Sequence, residues 1–555
     1  MTQAGCNVLL VFPRFDGWSF WNIEVACKVA GRRCAEPPLG LITVAALLPP
    51  DWNVQLVDRN AQELGDNQLA WADLVMTGGM IPQQPDTLRI IDLCNARGKP
   101  VVVGGPDVTS SPHLYERADF RVLGEAESVI EAFARAWNEG VRSGVFAAEQ
   151  YKTDVTASPV PRFDLLNLDH YLGVGIQFSR GCPFTCEFCD IIELYGRVPR
   201  TKTVAQMLAE LDALYRIGHR GSVNLVDDNL IGNKKAVKGF LPHLAEWQRQ
   251  RGYPFAFVTQ ASINLADDDA LLGMMREANF EAVFIGIESP NDEILISMHK
   301  KQNARRNLSA CIHKIYAAGL FVTAGFIIGF DSEKNSVADE MIACIEAAAI
   351  PVCMVGMLTA LPNTQLTRRL AREGRLRPDQ DISFFDPSGG SDQCTAGLNF
   401  ATARPRRDIL NDYRLVLERI YEPTAFFGRL RRMGGLLDRP KLGTKTQAKA
   451  LLNDLRTLGR LTWRLATRHP ELIKPFSSTL IDCAFRNPAA LKQVVSQMVM
   501  YLHVGPFSRY VVNHLDRHLA MVDTEDRRGP VATAPVTVVA PGPDGNIGKA
   551  VAASR

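Results

Sequence analysis

The chain has 555 residues, of which 46% are hydrophobic and 22% charged, a composition typical of a folded globular protein that excludes a largely disordered one. Its 62 Lys and Arg residues are balanced by 60 Asp and Glu residues, so no overall positive field exists to attract nucleic acid, and we expect no nucleic-acid partner. The length predicts roughly three or four domains.

Cysteine usage and the apolar stretches indicate a protein of the cytoplasm. Nine of the twelve cysteines are scattered, mostly among apolar residues, as expected for free thiols in a reducing compartment. The longest apolar stretch, residues 347–362, is too short to span a membrane and contains Pro351. The first residues carry neither a basic segment nor a cleavage site, so we expect no signal peptide.

Residues 1–150 alternate short apolar runs with helical patterns. Five runs are predicted as buried parallel strands of an open, doubly wound α/β domain: 8–12, 54–57, 74–76, 101–103 and 120–123. Ligands of such sheets bind beyond the carboxyl ends of the strands, where Gly78, Gly79, Gly104 and Gly105 would let the backbone approach a ligand closely. Ordinary turn glycines explain the pattern equally well. No G-x-G-x-x-G follows the first run, so a nicotinamide cofactor is not expected.

Residues 151–400 contain six further strand–helix units. The predicted strands are 175–179, 223–226, 255–259, 282–287, 321–329 and 352–358, which fits a partial parallel barrel of the (βα)6 type. Catalysis in parallel barrels takes place at the carboxyl ends of the strands. Polar residues stand at those ends here: Asp227, Asp228, Gln260, Ser262 and Glu288.

Three clustered cysteines follow the first predicted barrel strand. Cys182, Cys186 and Cys189 form the pattern C-x3-C-x2-C. Three thiolates in one loop can hold three irons of a [4Fe–4S] cluster and leave the fourth iron open, as a catalytic cluster needs. The alternative is a structural zinc site, which requires four closed ligands, and no suitably spaced Cys or His pair stands nearby in the sequence.

The cysteine pattern after a first barrel strand resembles that of the radical S-adenosylmethionine (SAM) enzymes, over roughly residues 5–400. The resemblance implies that Phe188 lies near the SAM adenine and that Asp227 and Asp228 approach its amino group. It places Gln260 and Ser262 near the ribose or carboxylate, and it matches Glu288 to the glycine-and-glutamate strand of the family. For Asp227 and Glu288, capping of the next helix or a salt bridge is the alternative.

An α/β domain before such a barrel is similar to the flavodoxin-like, cobalamin-binding branch of that family, nearest to the group that includes the hopanoid C-2 methylases. By this resemblance the four glycines at 78–79 and 104–105 belong to a corrin site. The chain departs from the histidine-ligated type, since the domain holds only His113 and no Asp-x-His-x-x-Gly motif. A domain that has lost cobalamin stays an alternative.

The resemblance implies reductive cleavage of SAM to a deoxyadenosyl radical, followed by transfer of a methyl group from cobalamin to an unactivated carbon. The expected partners are a small-molecule substrate, with a polycyclic lipid as one candidate, and a reductase, flavodoxin or ferredoxin as electron donor. Two alternatives remain open. One is a non-methylating radical cyclisation or rearrangement, and the other is a non-enzymatic metal-binding protein.

Residues 401–522 are predicted to form a helical C-terminal domain. Residues 401–470 hold 16 Lys or Arg and 6 Asp or Glu residues, a net charge of +10, with apolar side chains at helical spacing. A helical cap on the barrel with a solvated basic face explains this segment, and peripheral contact with an anionic membrane is the alternative. Residues 523–555 are rich in Gly, Pro, Ala and Val and are predicted to be a flexible tail.

Overall fold

The chain forms an N-terminal α/β unit, an open parallel barrel and a C-terminal helical unit. A computed structural model describes residues 5–15, 17–378, 382–383, 392–439 and 448–526. None of the described helices combines the length and apolar character needed to cross a membrane.

The N-terminal unit is a six-stranded sheet in the order β2-β1-β3-β4-β5-β6, and all of its strand pairs are parallel. Its strands are β1 (Asn7–Phe12), β2 (Asn53–Asp58), β3 (Leu74–Gly78), β4 (Val101–Gly104), β5 (Phe120–Leu123) and β6 (Gly144–Ala147). Its helices are α1 (Glu24–Ala30), α2 (Leu39–Leu47), α3 (Asp66–Trp71), α4 (Gln84–Ala96), α5 (Pro106–Ser110) and α6 (Ile130–Asn138). The five predicted strands are confirmed, and apolar cores cover both faces of the sheet.

The second unit is a six-stranded parallel sheet in the order β14-β13-β12-β11-β10-β7, with helices outside, as the six-unit pattern predicts. The strands are β7 (Gly173–Ile176), β10 (Gly221–Leu225), β11 (Phe255–Gln260), β12 (Phe280–Glu288), β13 (Phe321–Ile328) and β14 (Cys353–Met357). Two short antiparallel pairs join β8 (Ser179–Arg180) to β9 (Arg200–Thr201) and β15 (Ile382–Ser383) to β16 (Ala396–Gly397). The helices are α7 (Ile191–Leu194), α8 (Val204–Arg216), α9 (Lys234–Gln250), α10 (Asp269–Glu277), α11 (Asp292–Ser297), α12 (Leu308–Ala317), α13 (Ala338–Ala348) and α14 (Gln365–Arg372).

The barrel is open between its edge strands β7 and β14, and part of the N-terminal unit fills that seam. Residues 18–36 lie between β1 and α2 in the chain. At one end of this segment, Ser19 donates a hydrogen bond to Asp392 (2.7 Å), and Phe20 packs beside Cys353 and Val355 of β14. At the other end, the amide of Gly173 in β7 donates to the Ala35 carbonyl (3.0 Å). We call residues 18–36 the seam segment.

Five helices form the C-terminal unit: α15 (Arg406–Ile420), α16 (Pro423–Leu436), α17 (Ala448–Arg468), α18 (Ile473–Arg486) and α19 (Leu491–Asp526). Helix α15 packs on the barrel through Tyr413, whose hydroxyl donates to the Val355 carbonyl (3.0 Å). The helical cap is therefore present. Helix α19 continues to Asp526, past the predicted start of the tail at residue 523, and residues 527–555 lie outside the described chain.

Two of the arginines at the start of this unit are paired inside the protein instead of facing solvent. Arg404 bridges Glu333 (3.0 Å) and Asp412 (2.8 Å), and the fully buried Arg429 pairs with Glu346. These two arginines hold the cap against the barrel, so part of the positive charge of residues 401–436 does not reach the surface.

Candidate active site

The three-cysteine loop begins at the pair β8–β9, which holds its two ends together. Cys182, Cys186 and Cys189 are all free thiols in this loop. Gly181, just before Cys182, has φ +96°, and a Cβ there would lie 2.8 Å from the Gly196 carbonyl oxygen. The Cys182 amide donates to that same carbonyl at 3.2 Å. A residue with a side chain at position 181 would therefore force the loop apart.

Polar side chains from other elements reach the thiols. Asn229 Nδ2 lies 3.9 Å from Cys182 Sγ, and Gln302 Nε2 lies 3.8 Å from Cys186 Sγ. Burial raises the pKa of all three thiols, and neighbouring thiols of the loop raise it further for Cys182 and Cys189. Lys300 opposes this shift at Cys186. Lys300 and the amides of Asn229 and Gln302 thus favour the thiolate form that a metal centre requires, against the opposing effect of burial.

The donor set fits an iron–sulfur cluster better than a single metal ion. Within the described residues, no three His, Cys, Asp or Glu side chains lie close enough together to hold one ion. A [4Fe–4S] cube spreads its thiolates over separate irons, so its ligands stand farther apart than those of zinc. Three thiols in one loop would supply a protein ligand to three of the four irons.

Two adjacent carboxyl groups after β10 fasten this loop. Asp227 is fully buried and accepts hydrogen bonds from the Phe178 amide (3.0 Å) and from both the amide and the hydroxyl of Ser179. Burial raises its pKa to about 6. Asp228 accepts from the Gly181 amide (3.3 Å), and burial raises its pKa to about 7. Asp227 thus positions the strand that leads into the loop, and Asp228 contacts the loop itself.

The next strand end adds a second polar layer. Asn229 and Ser262 are joined by three hydrogen bonds. Asn229 Nδ2 donates to Ser262 Oγ and the Ser262 amide donates to Asn229 Oδ1, both at 3.2 Å, and Ser262 Oγ donates to Asn229 Oδ1 at 3.4 Å. Ser262 is thereby linked through Asn229 to Cys182. The half-buried Gln260 side chain makes no hydrogen bond within the part of the chain that the structure describes. Gln260 is therefore a polar group at the barrel mouth that keeps its hydrogen-bonding capacity among the described residues.

Glu288 forms a buried ion pair with Lys300, the salt bridge that the sequence left open as its alternative role. Its φ is +67°, and a Cβ on Gly286 would lie 2.9 Å from Lys300 Nζ, so the glycine makes room for the pair. Lys300 Nζ also lies 5.9 Å from the centre of the Phe188 ring. Sequence reasoning missed Lys300, because it stands in a loop with no motif around it.

Phe188 lines a cavity of about 560 Å³ beside the cysteine loop. Phe330 and Leu358 form further apolar walls, and Asp331 and Arg369 supply charge. The Phe188 and Phe330 rings stand 6.0 Å apart, nearly at right angles. The size and the mixed lining suit a ligand as large as a nucleoside.

The glycines of the N-terminal sheet lie where its strands end. A Cβ on Gly78 would collide with the Gly104 carbonyl, and Gly105, with φ +98°, would carry a Cβ 3.4 Å from the Gly79 carbonyl oxygen. The four glycines form a floor at the ends of β3 and β4, in which Gly78, Gly104 and Gly105 lie against neighbouring backbone and Gly79 lies against the Gln83 side chain. Such a floor fits a broad planar group like a corrin.

An ion-pair network joins that sheet edge to the cysteine loop. Arg180 bonds Glu125 (2.9 Å) and Glu127 (2.6 Å), and Arg200 bonds Glu125 (2.7 Å). Burial opposes ionisation of Glu127, but its bonds to Arg180 and Ser158 outweigh burial and lower its pKa to about 2. The glycine floor and the cysteine loop are thus held on one side of the molecule. We call these four charged residues the interdomain clasp.

Glu36 of the seam segment reaches into the barrel. Its Oε1 accepts a hydrogen bond from Asn224 Nδ2 (3.0 Å), and a Cβ on Gly175 would lie 3.6 Å from its Oε2. Burial raises its pKa, and no Lys or Arg of the described chain pairs with it. Sequence reasoning counted Glu36 only as part of a stretch typical of the cobalamin-binding branch and missed its contact with the barrel, since Glu36 lies far from the barrel strands in the chain.

Three family models match the chain. They are the B12 binding domain over residues 29–134, the Radical SAM superfamily over residues 176–345, and a domain of unknown function (DUF4070) over residues 364–517. The first two cover the glycine floor and the cysteine loop, and the third covers most of the C-terminal unit.

Two relatives are similar along most of their length. An uncharacterized methyltransferase of Synechocystis sp. is 45% identical over 492 residues, covering 88% of this chain and 90% of that protein. The hopanoid C-2 methylase of Rhodopseudomonas palustris is 35% identical over 432 residues, covering 77% of this chain and 79% of that protein.

Two solved structures share the fold. The radical S-adenosylmethionine methyltransferase TsrM from Kitasatospora setae aligns with a TM-score of 0.59 at 15% identity, over 84% of this chain and 100% of that one. The cobalamin-dependent S-adenosylmethionine radical enzyme OxsB aligns with a TM-score of 0.57 at 14% identity, over 94% and 81%. The order of the α/β unit, the barrel and the helical unit is therefore shared with these proteins.

Proposed function

The chain belongs to the cobalamin-dependent radical SAM methyltransferases, and we propose that it transfers a methyl group to an unactivated carbon of a small, largely apolar molecule. One observation carries the proposal. The interdomain clasp holds a glycine floor suited to cobalamin on the same side of the molecule as a loop of three thiols suited to a [4Fe–4S] cluster. Methyl transfer to carbon requires both cofactors to address one cavity.

Cys182, Cys186 and Cys189 would hold the cluster, and the open iron would take SAM. When bound, the cluster supplies the electron that cleaves SAM, and cobalamin supplies the methyl group. The protein's own part is to bind, orient and exclude water. The Asp227 carboxylate already accepts hydrogen bonds from Phe178 and Ser179, so Asp227 acts as a positioning residue for the loop.

The remaining sequence candidates are proposed as SAM contacts. Phe188 offers an aromatic wall of the 560 Å³ cavity for adenine, and Gln260 offers an amide without a protein partner. Asp228, Ser262 and Glu288 lie on the polar rim that surrounds the loop. Glu288 already forms a buried ion pair with Lys300. A SAM contact at Glu288 would therefore use the same carboxylate that Lys300 binds.

The barrel interior supports an apolar substrate with one polar group. Phe284 and Met354 approach the backbone at Gly325, and Val226 approaches it at Gly175. Glu36 and Asn224 add a hydrogen-bonding pair inside the same barrel. The relative that methylates hopanoids makes a polycyclic lipid the first substrate class to test. A reductase, flavodoxin or ferredoxin would deliver the electron.

The test starts from protein purified without oxygen and reconstituted with iron, sulfide and cobalamin. We expect about four irons per chain, formation of 5′-deoxyadenosine with a strong reductant, and label from methyl-labelled SAM in a polycyclic lipid. Cys186→Ala should lose the iron and both activities. Cys344→Ala, a half-buried thiol outside the loop, is the matched control and should keep them.

Two results would contradict the proposal in different ways. Iron binding with deoxyadenosine but no label in any candidate lipid would favour the non-methylating cyclisation or rearrangement. Iron that stays bound in Cys186→Ala, or no iron in the wild-type protein, would contradict the assignment of a cluster to the three-cysteine loop.

A further inference from the structure

Helices α17 and α18 each turn a stripe of uncharged side chains away from the protein. Trp463 on α17 is 62% exposed and Phe485 on α18 is 86% exposed. The stripe residues follow one another at helical spacing and are all exposed: Leu458, Thr462, Trp463, Ala466 and Thr467 on α17, and Ile473, Ser477, Ile481 and Phe485 on α18. We call these two sets the outer stripes.

The hydroxyl groups in the outer stripes are turned back onto their own helices. Thr462 donates to the Leu458 carbonyl and Thr467 to the Trp463 carbonyl, both at 2.8 Å. Ser477 donates to the Ile473 carbonyl at 2.8 Å in the same way. The threonines therefore face outward with their methyl groups, and the stripes are less polar than their composition suggests.

The opposite sides of both helices are anchored, so the stripes belong to ordered elements. Leu461 and Leu465 of α17 are buried, and Arg460 donates to the Val29 carbonyl of α1 at 2.7 Å. Phe476 and Cys483 of α18 are buried as well. Exposure of the outer stripes is thus a property of the packed fold.

Positive charge surrounds the outer stripes. Residues 456–486 contain six Lys or Arg and two Asp or Glu residues, a net charge of +4. Arg456, Arg468, Lys474 and Arg486 are exposed on the same two helices. This differs from Arg404, just before α15, and from Arg429 of α16, which both form internal ion pairs. Arg486 pairs with Asp482 (2.7 Å), so the exposed positive charge beside the stripes comes mainly from Arg456, Arg468 and Lys474.

We propose that the outer stripes dock the protein on the surface of an anionic lipid bilayer. Bulky apolar side chains enter the boundary between headgroups and acyl chains, while flanking Arg and Lys bind lipid phosphates. The charge of the flanks favours lipid over a neutral protein partner. This docking surface is independent of the proposed methyl transfer, because none of its residues lies in the barrel or in the clasp.

The test uses the full chain and sedimentation with vesicles. We expect the protein to bind vesicles of equal parts phosphatidylglycerol and phosphatidylcholine, to bind pure phosphatidylcholine weakly, and to be released by salt. The double variant Trp463→Ser and Phe485→Ser should lower binding on the order of tenfold by removing two inserted side chains. Val145→Ser, which removes a half-exposed apolar side chain from β6, is the matched control and should bind as the wild type does.

A charge variant separates the two contributions. Arg468→Glu with Lys474→Glu should weaken binding to anionic vesicles and leave the weak binding to neutral vesicles unchanged. Wild-type protein that ignores anionic vesicles, or a double variant that binds them as well as the wild type, would overturn the proposal. So would a wild-type dimer, seen by sedimentation velocity without lipid, that the double variant loses, since a second copy would then cover the stripes. Iron content and deoxyadenosine formation should be unaffected in every variant.

Discussion

At the scale of single residues, Glu36 is half-buried, and its carboxyl group accepts a hydrogen bond from the Asn224 amide but forms no ion pair within the described residues. Its raised pKa means that the folded protein holds the proton more tightly than the unfolded chain. Ionising Glu36 therefore costs stability at every pH above the ordinary Glu value of 4.5. Below that value the carboxyl is protonated in both states and the cost disappears.

We predict that Glu36→Gln raises the melting temperature at neutral pH, and that the gain shrinks as pH falls toward 4.5. Thermal unfolding of anaerobic protein over a pH series measures it. Glu139→Gln, at an exposed helix end, is the control and should give no pH-dependent gain. A gain that grows toward acid pH would show that Glu36 is ionised more easily in the folded protein.

Asp227 supplies the second prediction at this scale. Its carboxylate accepts three hydrogen bonds from Phe178 and Ser179, and an amide in its place would present one acceptor oxygen and an unwanted donor. Asp227→Asn should cost about 1–3 kcal/mol locally and lower the iron content of reconstituted protein. Asp92→Asn, on the surface of α4, should keep full iron. Equal iron contents in Asp227→Asn and Asp92→Asn would show that Asp227 does not position the loop.

The sequence predicted the residues of the site better than their pairings. The spacing of the cysteines is a local pattern, and it led directly to the loop. Glu36 and Asn224 stand 188 residues apart, so only the fold brings them together, and Glu288 and Lys300 stand 12 residues apart with no local motif that links them. The site roles of Asp228, Gln260 and Ser262 remain predictions.

At the scale of elements, the cysteine loop depends on a backbone conformation that glycine alone adopts easily. Gly181 combines a positive φ with a close approach to the Gly196 carbonyl. Gly218, at the end of α8, has a similar φ of +87° but no atom within 4 Å of an added Cβ. A substitution at Gly218 would therefore introduce backbone strain alone, whereas a substitution at Gly181 would introduce both strain and a steric clash.

We predict that Gly218→Ala lowers stability by about 1 kcal/mol through strain alone and leaves iron binding unchanged. Gly181→Ala should suffer the same strain and also displace the loop, so that reconstituted protein loses most of its iron. Iron and sulfide analysis with thermal unfolding measures both. Similar iron contents for the two variants would mean that the loop tolerates the collision.

The strand pattern was predictable because buried parallel strands have continuous apolar runs. The sixth strand of the N-terminal sheet escaped prediction, since β6 is a short edge strand whose residues alternate between exposed and half-buried. Edge strands carry weaker apolar signals than central ones, and Gly144–Ala147 offers only two bulky side chains.

At the scale of the whole molecule, the interdomain clasp couples the α/β unit to the barrel. Glu127 is nearly inaccessible to solvent, and its folded pKa of about 2 lies below the ordinary 4.5. The clasp therefore contributes stability that is present above pH 4.5 and is lost as pH falls through 4.5 toward 2. Its size is on the order of 3 kcal/mol by linkage.

We predict that Glu127→Gln lowers the melting temperature at neutral pH and that the difference from wild type narrows below pH 4.5. Limited proteolysis in the connection between β6 and β7 should also become faster. Glu131→Gln is the matched control, because Glu131 is 89% exposed in its pair with Arg135 and such surface pairs contribute little. Equal proteolysis of both variants would mean that other contacts hold the units together.

The order of the three units could be predicted from the sequence, whereas their contacts could not. The seam segment is separated from β14 by more than three hundred residues, and no local pattern indicates where it packs. The basic composition of the C-terminal unit predicted charge but not its placement, since internal partners such as Glu333 and Glu346 lie in the barrel.

The seam segment also bears on how such enzymes could be recombined. A chimera that exchanged residues 1–150 between two relatives would exchange the seam segment, including Glu36, together with the rest of the N-terminal unit. The seam segment contacts both edge strands of the barrel, so one side of the barrel would then come from the other relative. Substrate preference should then travel in part with the donor of the N-terminal half, even though every barrel strand stays native. A chimera with its junction after residue 36 would keep the native seam segment with the native barrel and exchange only the remainder of the N-terminal unit.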